Sequence, residues 1–428
     1  MDYPIYIERH TALPLVDIQL ALRTGADQDP KDKLGLMWIM CRMLRMGTAT
    51  MQGLAVEEGI ACLGARLSIE VNYSVVRFQG TVIRRNLEPF MILLGQLLTV
   101  PAFRFEDLAL VKRELLADLS ANSDSDAALV ARQFRRVLFD THAYGRLITG
   151  TTSTIPAITP EDLRNHHAQH LRCANIVLGA AGDIDRDTLT QLCEKHWQAI
   201  PSGKSRRVAV RAPKSLSGRH GVLVDKPARS QTQLMIGTLG ARVQDDDLDA
   251  LNLANTVFGG TFSSRLMAEV RSKRGWSYGA SSSVGSDRQR DAWSMHTFPA
   301  TADAVDCALL QLELLEAWVA HGINDRERRA ARDYLINSYC FDVDTAAKRL
   351  DDVMDIALFG LHRDYYQSYT KRVKSINCAQ ANQAVRSRIG PQDLCIVMVA
   401  SASDVADDFA KIPGLKSLTV IPHDRVFV

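Results

Sequence analysis

The sequence predicts an α+β protein made of two homologous α/β domains. Two observations carry that prediction. The chain has 428 residues, whereas a single hydrophobic core stops growing near ~250–300 residues. The same order of strands and helices also runs twice along it, which marks an internal duplication. With 46% hydrophobic residues, 23% charged residues and only 14 prolines, the composition excludes a disordered, collagen-like or disulfide-scaffold chain. Lys+Arg 51 against Asp+Glu 49 leaves a net charge of +2, which argues against a dedicated nucleic-acid binder.

The first copy opens on residues 15–23 (LVDIQLALR), whose apolar–polar alternation marks a half-buried strand. A loop rich in Asp, Lys and Gly leads to an apolar helix over 35–46, then Gly47-Thr48. A second helix is expected at 53–63 and a strand pair at 66–83. Helices fill 86–140, the periodic run Phe105–Ser120 being the clearest. Residues 174–182 (ANIVLGAAG) read as a buried strand, and a helix closes the copy near His196.

The second copy repeats these events. A strand at 230–239 leads through GARVQDDD into an apolar helix at 247–258. Gly259-Gly260-Thr261 then stands where Gly47-Thr48 stood, an offset of 213 residues between the two threonines. A short helix and paired strands (276–299), long helices (302–360) and a late strand (394–400, LCIVMVA) complete it. The domains are therefore expected at 1–200 and 219–428, joined by a linker at 201–218. Six basic residues (Lys204, Arg206, Arg207, Arg211, Lys214, Arg219) cluster in this linker and at the first position after it, without an acid. Two readings follow: an anionic-ligand patch, or a solvated linker held extended by its own charge. No aromatic residues interleave with the charges, as base stacking would need. Gly203-Lys204-Ser205 fails as a phosphate loop because position 198 is Gln.

No stretch approaches the ~20 apolar residues of a transmembrane helix. The start lacks a basic region followed by an apolar run, so no signal peptide is expected. The eight cysteines are scattered without CxxC spacing. Such usage suggests reduced thiols and a cytoplasmic protein, although a chain trimmed of its leader would look the same.

Two clusters could carry chemistry. His166 and His170, with His167 between them, fall on one helix face at a spacing that can hold a metal, with Glu161 and Asp162 as the nearest acids. No HExxH or HxxEH occurs anywhere in the chain. The other cluster is Phe258–Ser283 (FGGTFSSRLMAEVRSKRGWSYGASSS). Its two glycines permit close backbone approach, and Ser263-Ser264 can cap a helix at 265–272. Arg271 leaves the last turn of that helix, Gly275 supplies a reversal, and Tyr278 opens the next strand. A guanidinium and a phenol can thus be aimed at one place, as donors to a carbonyl or a developing oxyanion. Equally, Arg271 could complement a helix C-terminus and Tyr278 be an ordinary strand aromatic.

The segment GGTFSSRLMAEVRSKRGWSYG resembles the second-domain signature of the pitrilysin/insulinase family of zinc peptidases, in its mitochondrial-processing-peptidase-like branch. The likeness extends over nearly the whole chain and its duplication. It implies mainly antiparallel sheets packed with helices, forming half of a clam shell. It also implies that Arg271 and Tyr278, seven residues apart, reach an active site. Catalytic members carry HxxEH on the helix after the first strand. Here the frame Gly35–Thr48 puts Trp38 and Arg42 at the metal-ligand positions and Cys41 at the general base, with a third ligand near Asp118. Tryptophan cannot ligate zinc and an arginine repels it. Cys41 as an independent nucleophile lacks a histidine nearby in sequence.

A chain with the Arg/Tyr pair but no HxxEH resembles the non-catalytic subunit of the family's bacterial heterodimers. The resemblance implies no cofactor in this chain, zinc in a homologous HxxEH-bearing partner, and a peptide substrate. It implies a periplasmic location if a leader was trimmed. A peptidase-derived scaffold or peptide-binding protein is the alternative.

Overall fold

The structure is a computed structural model and describes residues 3–427. Its elements follow the duplicated order closely. The first copy holds β1 (Ile5–Arg9), β2 (Leu15–Leu22), α1 (Leu36–Leu44), α2 (Gly53–Cys62), β3 (Arg66–Val71) and β4 (Val76–Ile83). It continues through α3 (Leu87–Thr99), α4 (Phe105–Asp124), α5 (Asp126–Phe139), α6 (Pro160–His170), β5 (Ile176–Gly182) and α7 (Arg186–His196). The second copy holds β6 (Arg219–Asp225), β7 (Gln233–Leu239), α8 (Leu248–Asn255), β8 (Ala280–Ser286), β9 (Arg290–Thr297), α9 (Ala304–His321) and α10 (Asp325–Asp342). After these come α11 (Ala346–Phe359), α12 (Tyr369–Ser375), α13 (Cys378–Arg388), β10 (Cys395–Ala400), α14 (Ala402–Phe409) and β11 (Leu415–Pro422).

The duplication is visible in the sheets. One has the order β1-β5-β2-β4-β3, the other β6-β10-β7-β9-β8 with β11 added beyond β6. Position for position the two orders coincide. Pairing is antiparallel except at β1/β5, β6/β10 and β6/β11, so the mainly antiparallel α+β expectation holds. Sequence reading had missed β1, β6 and β11, the strands that lie at or beside a sheet edge and pair in parallel. β11 is nowhere fully buried, so it lacks the apolar run that betrayed β5 and β10.

The helix starts are set by local chemistry. Thr159 and Asp162 exchange side-chain and backbone hydrogen bonds at the start of α6, as do Asn377 and Gln380 at α13. Ser125 accepts from the Ala128 N–H at the start of α5.

The chain divides into two compact units. The first comprises Met1–Asp118, Leu147–Val210 and Cys340–Tyr366, the second Leu119–Arg146, Arg211–Tyr339 and Gln367–Val428. These units cut the chain differently from the sequence repeats, because each sheet is covered by a helix from the other repeat. In the first unit, α11 lies against β5 and β1, where Leu350, Met354 and Leu358 pack on Ala21, Val177 and Ala181. Glycine at 179 leaves room for that approach: a Cβ there would lie 2.6 Å from Met354 Sδ and 2.7 Å from Leu350 Cδ1, so both side chains would have to shift. Arg77 and Arg349 fix α11 further through Asp355 and Glu8. In the second unit, α5 lies against β7 and β10, and Arg135 pairs with Asp291 at 2.9 Å. The opposite core of that unit is built around Phe258, Trp293 and Trp318, with Phe258 and Trp318 stacked at 4.4 Å between centroids.

Residues 201–218 form neither helix nor strand. They are tethered all the same. Arg207 pairs with buried Asp27 at 2.6 Å, and the Val208 N–H donates to Gln28 at 2.7 Å. Arg219 is buried and donates to the carbonyls of Pro391 and Pro413. Two of the six basic residues are therefore structural. No helix among the described residues is long and apolar enough to cross a membrane.

Candidate functional site

The second unit turns sharply between α8 and β8. Helix α8 continues as a π-helical stretch, Thr256–Gly260, and a second one spans Met267–Lys273. Asn255 organises the base of this turn: its Oδ1 accepts from Trp293 Nε1 at 2.8 Å and Ser282 Oγ at 2.7 Å. Ser264, rather than Ser263, caps the following helix by accepting from the Met267 N–H at 3.4 Å. Gly275 ends it with φ +68 and nothing within 4 Å of where a Cβ would stand. Its left-handed backbone is therefore what selects glycine.

These constraints bring Arg271 and Tyr278 together. The Arg271 guanidinium lies 4.6 Å from the Tyr278 ring centroid. A second ring, Phe262, lies 4.7 Å from the same guanidinium. Tyr278 is 78% exposed and Phe262 71%. β8 begins at Ala280, so Tyr278 precedes the strand that it was expected to open. Phe262 was missed by sequence reasoning; an aromatic residue set between a glycine pair and a serine cap was its available signal.

The neighbouring cations are all neutralised. Arg265 pairs with Glu327 at 2.7 Å, while Lys273 and Arg274 share Glu269 at 2.5 and 2.9 Å. Among the described residues the Arg271 guanidinium has neither a hydrogen bond nor an ion pair, and the Tyr278 hydroxyl has no hydrogen bond; the Arg271 carbonyl accepts the Gly275 N–H at 2.9 Å. The guanidinium is thus held by two π faces and keeps its N–H donors available. Such a group can bind a carbonyl oxygen or an anion.

In the first unit the residues at the zinc-ligand frame do not fit a metal. Trp38, Cys41 and Arg42 all lie on α1, with Trp38 half-buried, Cys41 buried and Arg42 exposed. The Arg42 cation faces the Glu114 carboxylate of α4 at 3.6 Å, one turn before Asp118, which is exposed. Burial pushes the Cys41 thiol far up, and nearby Asp29 adds to this, so the thiolate needed of a nucleophile is strongly disfavoured. Among the described residues no three His, Cys, Asp or Glu side chains come together as a metal-binding group.

The histidine cluster on α6 belongs to the core. His166 and His170 are buried, their rings 4.4 Å apart. Thr24 Oγ1 lies 3.1 Å from His170 Nδ1, and His167 Nε2 donates to the Leu98 carbonyl at 2.8 Å. The acid that meets them is Asp29, 3.6 Å from His166, and neither Glu161 nor Asp162. Asp162 is committed to the α6 cap and to Lys33. Asp29 itself accepts the Gly35 and Met37 N–H groups at 2.9 Å each, which fixes the start of α1. Burial, reinforced by the neighbouring histidines, lowers His166 to about 3. Burial and Arg207 lower His170 to about 4.

The insulinase (peptidase family M16) model matches residues 5–152, and the peptidase M16 inactive domain model matches residues 157–335. The chain belongs to the M16 family. The sequence contains no HxxEH, and the match to the inactive-domain model makes it a peptidase-derived M16 member of the inactive type. Among relatives, it is 20% identical over 402 residues to the Non-peptidase homolog YmxG of Helicobacter pylori, covering 93% of this chain and 92% of that one. It is 21% identical over 332 residues to an uncharacterized zinc protease of Mycobacterium leprae, covering 77% of this chain and 75% of that one. A peptidase M16 inactive domain from Pseudomonas fluorescens has the same fold, with TM-score 0.86 at 22% identity over 93% of this chain and 95% of the other. A chain of Complex III2 from Candida albicans also shares the fold, with TM-score 0.77 at 15% identity over 95% and 97% of the two chains.

Proposed function

We propose that this chain is the non-catalytic subunit of a heterodimeric M16 zinc endopeptidase. Arg271 and Tyr278 would bind the scissile peptide carbonyl and stabilise the tetrahedral intermediate at the active site of a homologous HxxEH-bearing partner. The observation that carries this reading is the free Arg271 guanidinium, clamped between Phe262 and Tyr278 while every cation around it is paired. A guanidinium kept only for stability would be expected to sit with a carboxylate, as Arg265 does. The partner would hold the zinc and supply Lewis-acid and general-base chemistry. This chain's share is electrostatic: charge that develops on the carbonyl oxygen meets donors already oriented before reaction.

The test mixes the purified chain with its HxxEH partner and follows peptide cleavage. Arg271→Ala and Tyr278→Phe are each expected to lower turnover by roughly 10²–10³-fold, the usual loss for one oxyanion donor. Unchanged turnover in both variants sinks the proposed roles. It would favour the second reading, a scaffold without hydrolytic role, which the shared fold with a chain of Complex III2 supports.

A further inference from the structure

A cleft of about 610 Å³ opens beside the Arg271 clamp, entirely within the second unit. Phe262, Ala268, Leu314, Ala330, Ala331 and Tyr334 line it. From this geometry we propose that the cleft is a specificity pocket for one large apolar side chain of the peptide whose backbone Arg271 and Tyr278 bind. The inference rests on the peptide-binding reading above and adds a subsite to it.

Three observations support this occupant. Phe262 belongs to both features: its ring lines the cleft and also stacks on Arg271. A peptide held at Arg271 therefore has a side-chain position within reach of the cleft. The charges on the rim are already satisfied, since Glu327 pairs with Arg265 and Glu269 with Lys273 and Arg274. With no uncompensated charge to meet a ligand, the cleft selects an uncharged occupant. Finally, three alanines leave space between two aromatic rings that are themselves exposed, Phe262 at 71% and Tyr334 at 52%. An apolar side chain entering there would remove water from both rings.

The test titrates the full chain with two acetylated, amidated peptides of Gly and Ser that differ at one central position, Phe or Gly. The Phe peptide is expected to bind roughly ten-fold tighter or more, as burial of a large apolar side chain predicts. Ala330→Trp fills the cleft from an exposed helix position and should abolish the preference while leaving affinity for the Gly peptide unchanged. Tyr334→Ala, which removes one wall, should lower the preference in the same direction. Equal affinity of the native chain for both peptides overturns the inference, as does a preference that survives Ala330→Trp in a folded protein. Arg271→Ala separates the pocket from the reading beneath it. Equal weakening of both peptides supports both proposals; no weakening, with the Phe preference intact, removes the Arg271 role and still supports the pocket.

Discussion

Arg271 is positioned without being neutralised. Each ring contact at an exposed site contributes about 0.5–1 kcal/mol, enough to restrict the guanidinium yet small enough to leave it able to engage a ligand. A carboxylate partner would have fixed it more firmly and consumed its donors. The histidines of α6 show the opposite case, in which ionisable groups are buried to be kept neutral. His166 and His170 are lowered from 6.5 to about 3 and about 4 in the folded chain. Asp29, although 3.6 Å from His166, does not reverse this, because its oxygens already accept the Gly35 and Met37 N–H groups. Between those values and 6.5 the unfolded chain binds more protons than the folded one. The stability due to neutral burial is therefore complete above pH 6.5 and is lost as the pH falls, toward about 4 for His170 and about 3 for His166. Urea unfolding should show a loss of a few kcal/mol over that window. His166→Gln together with His170→Gln should flatten it, and a double variant with an unchanged acid limb would refute the assignment.

At the scale of elements, a glycine decides whether a helix can cover a sheet. Met354 and Leu350 of α11 occupy the space above Gly179 on β5. Gly179→Val should destabilise the protein by about 1–3 kcal/mol, the usual range for overpacking a filled core. The displaced groups are side-chain ends, so Gly179→Ala should cost less; thermal unfolding of the two variants reads the difference. Much of this scale was legible in the sequence. The apolar runs of β5 and β10 and the duplicated Gly-Thr lie where their patterns put them, whereas the half-buried strand expected at 15–23 is β2, a central strand whose residues 18–22 are all buried. Edge strands were not legible, because β11 carries no fully buried residue and β1 only one, Ile5. Nor could spacing foretell the π-helical turns or the contacts of Asn255 with Ser282 on β8 and Trp293 on β9. The Arg271–Tyr278 pairing was visible as a spacing, whereas Phe262, whose role depends on where the turn places it, was not.

At the scale of the whole molecule, the duplication and the compact units divide the chain at different places. Helix α5 precedes the midpoint in sequence and packs on β7 and β10; α11 follows it and packs on β5 and β1. If each repeat were self-sufficient, either could be expressed alone. The packing says otherwise. Residues 1–210 without α11 would expose Val177, Ala181 and Ala21, all fully or almost fully buried in the intact chain. Residues 211–428 without α5 would likewise uncover one face of the sheet that includes β7 and β10. An apolar sheet face open to water favours aggregation over a native fold. The two fragments expressed separately should therefore be insoluble or lack cooperative unfolding by circular dichroism. Refolded together they should recover a cooperative transition, since every covering helix is then present and only one covalent bond is missing. A fragment 1–210 that unfolds cooperatively by itself would show that α11 is dispensable. It would then restore the simpler picture of two independent domains joined by a linker.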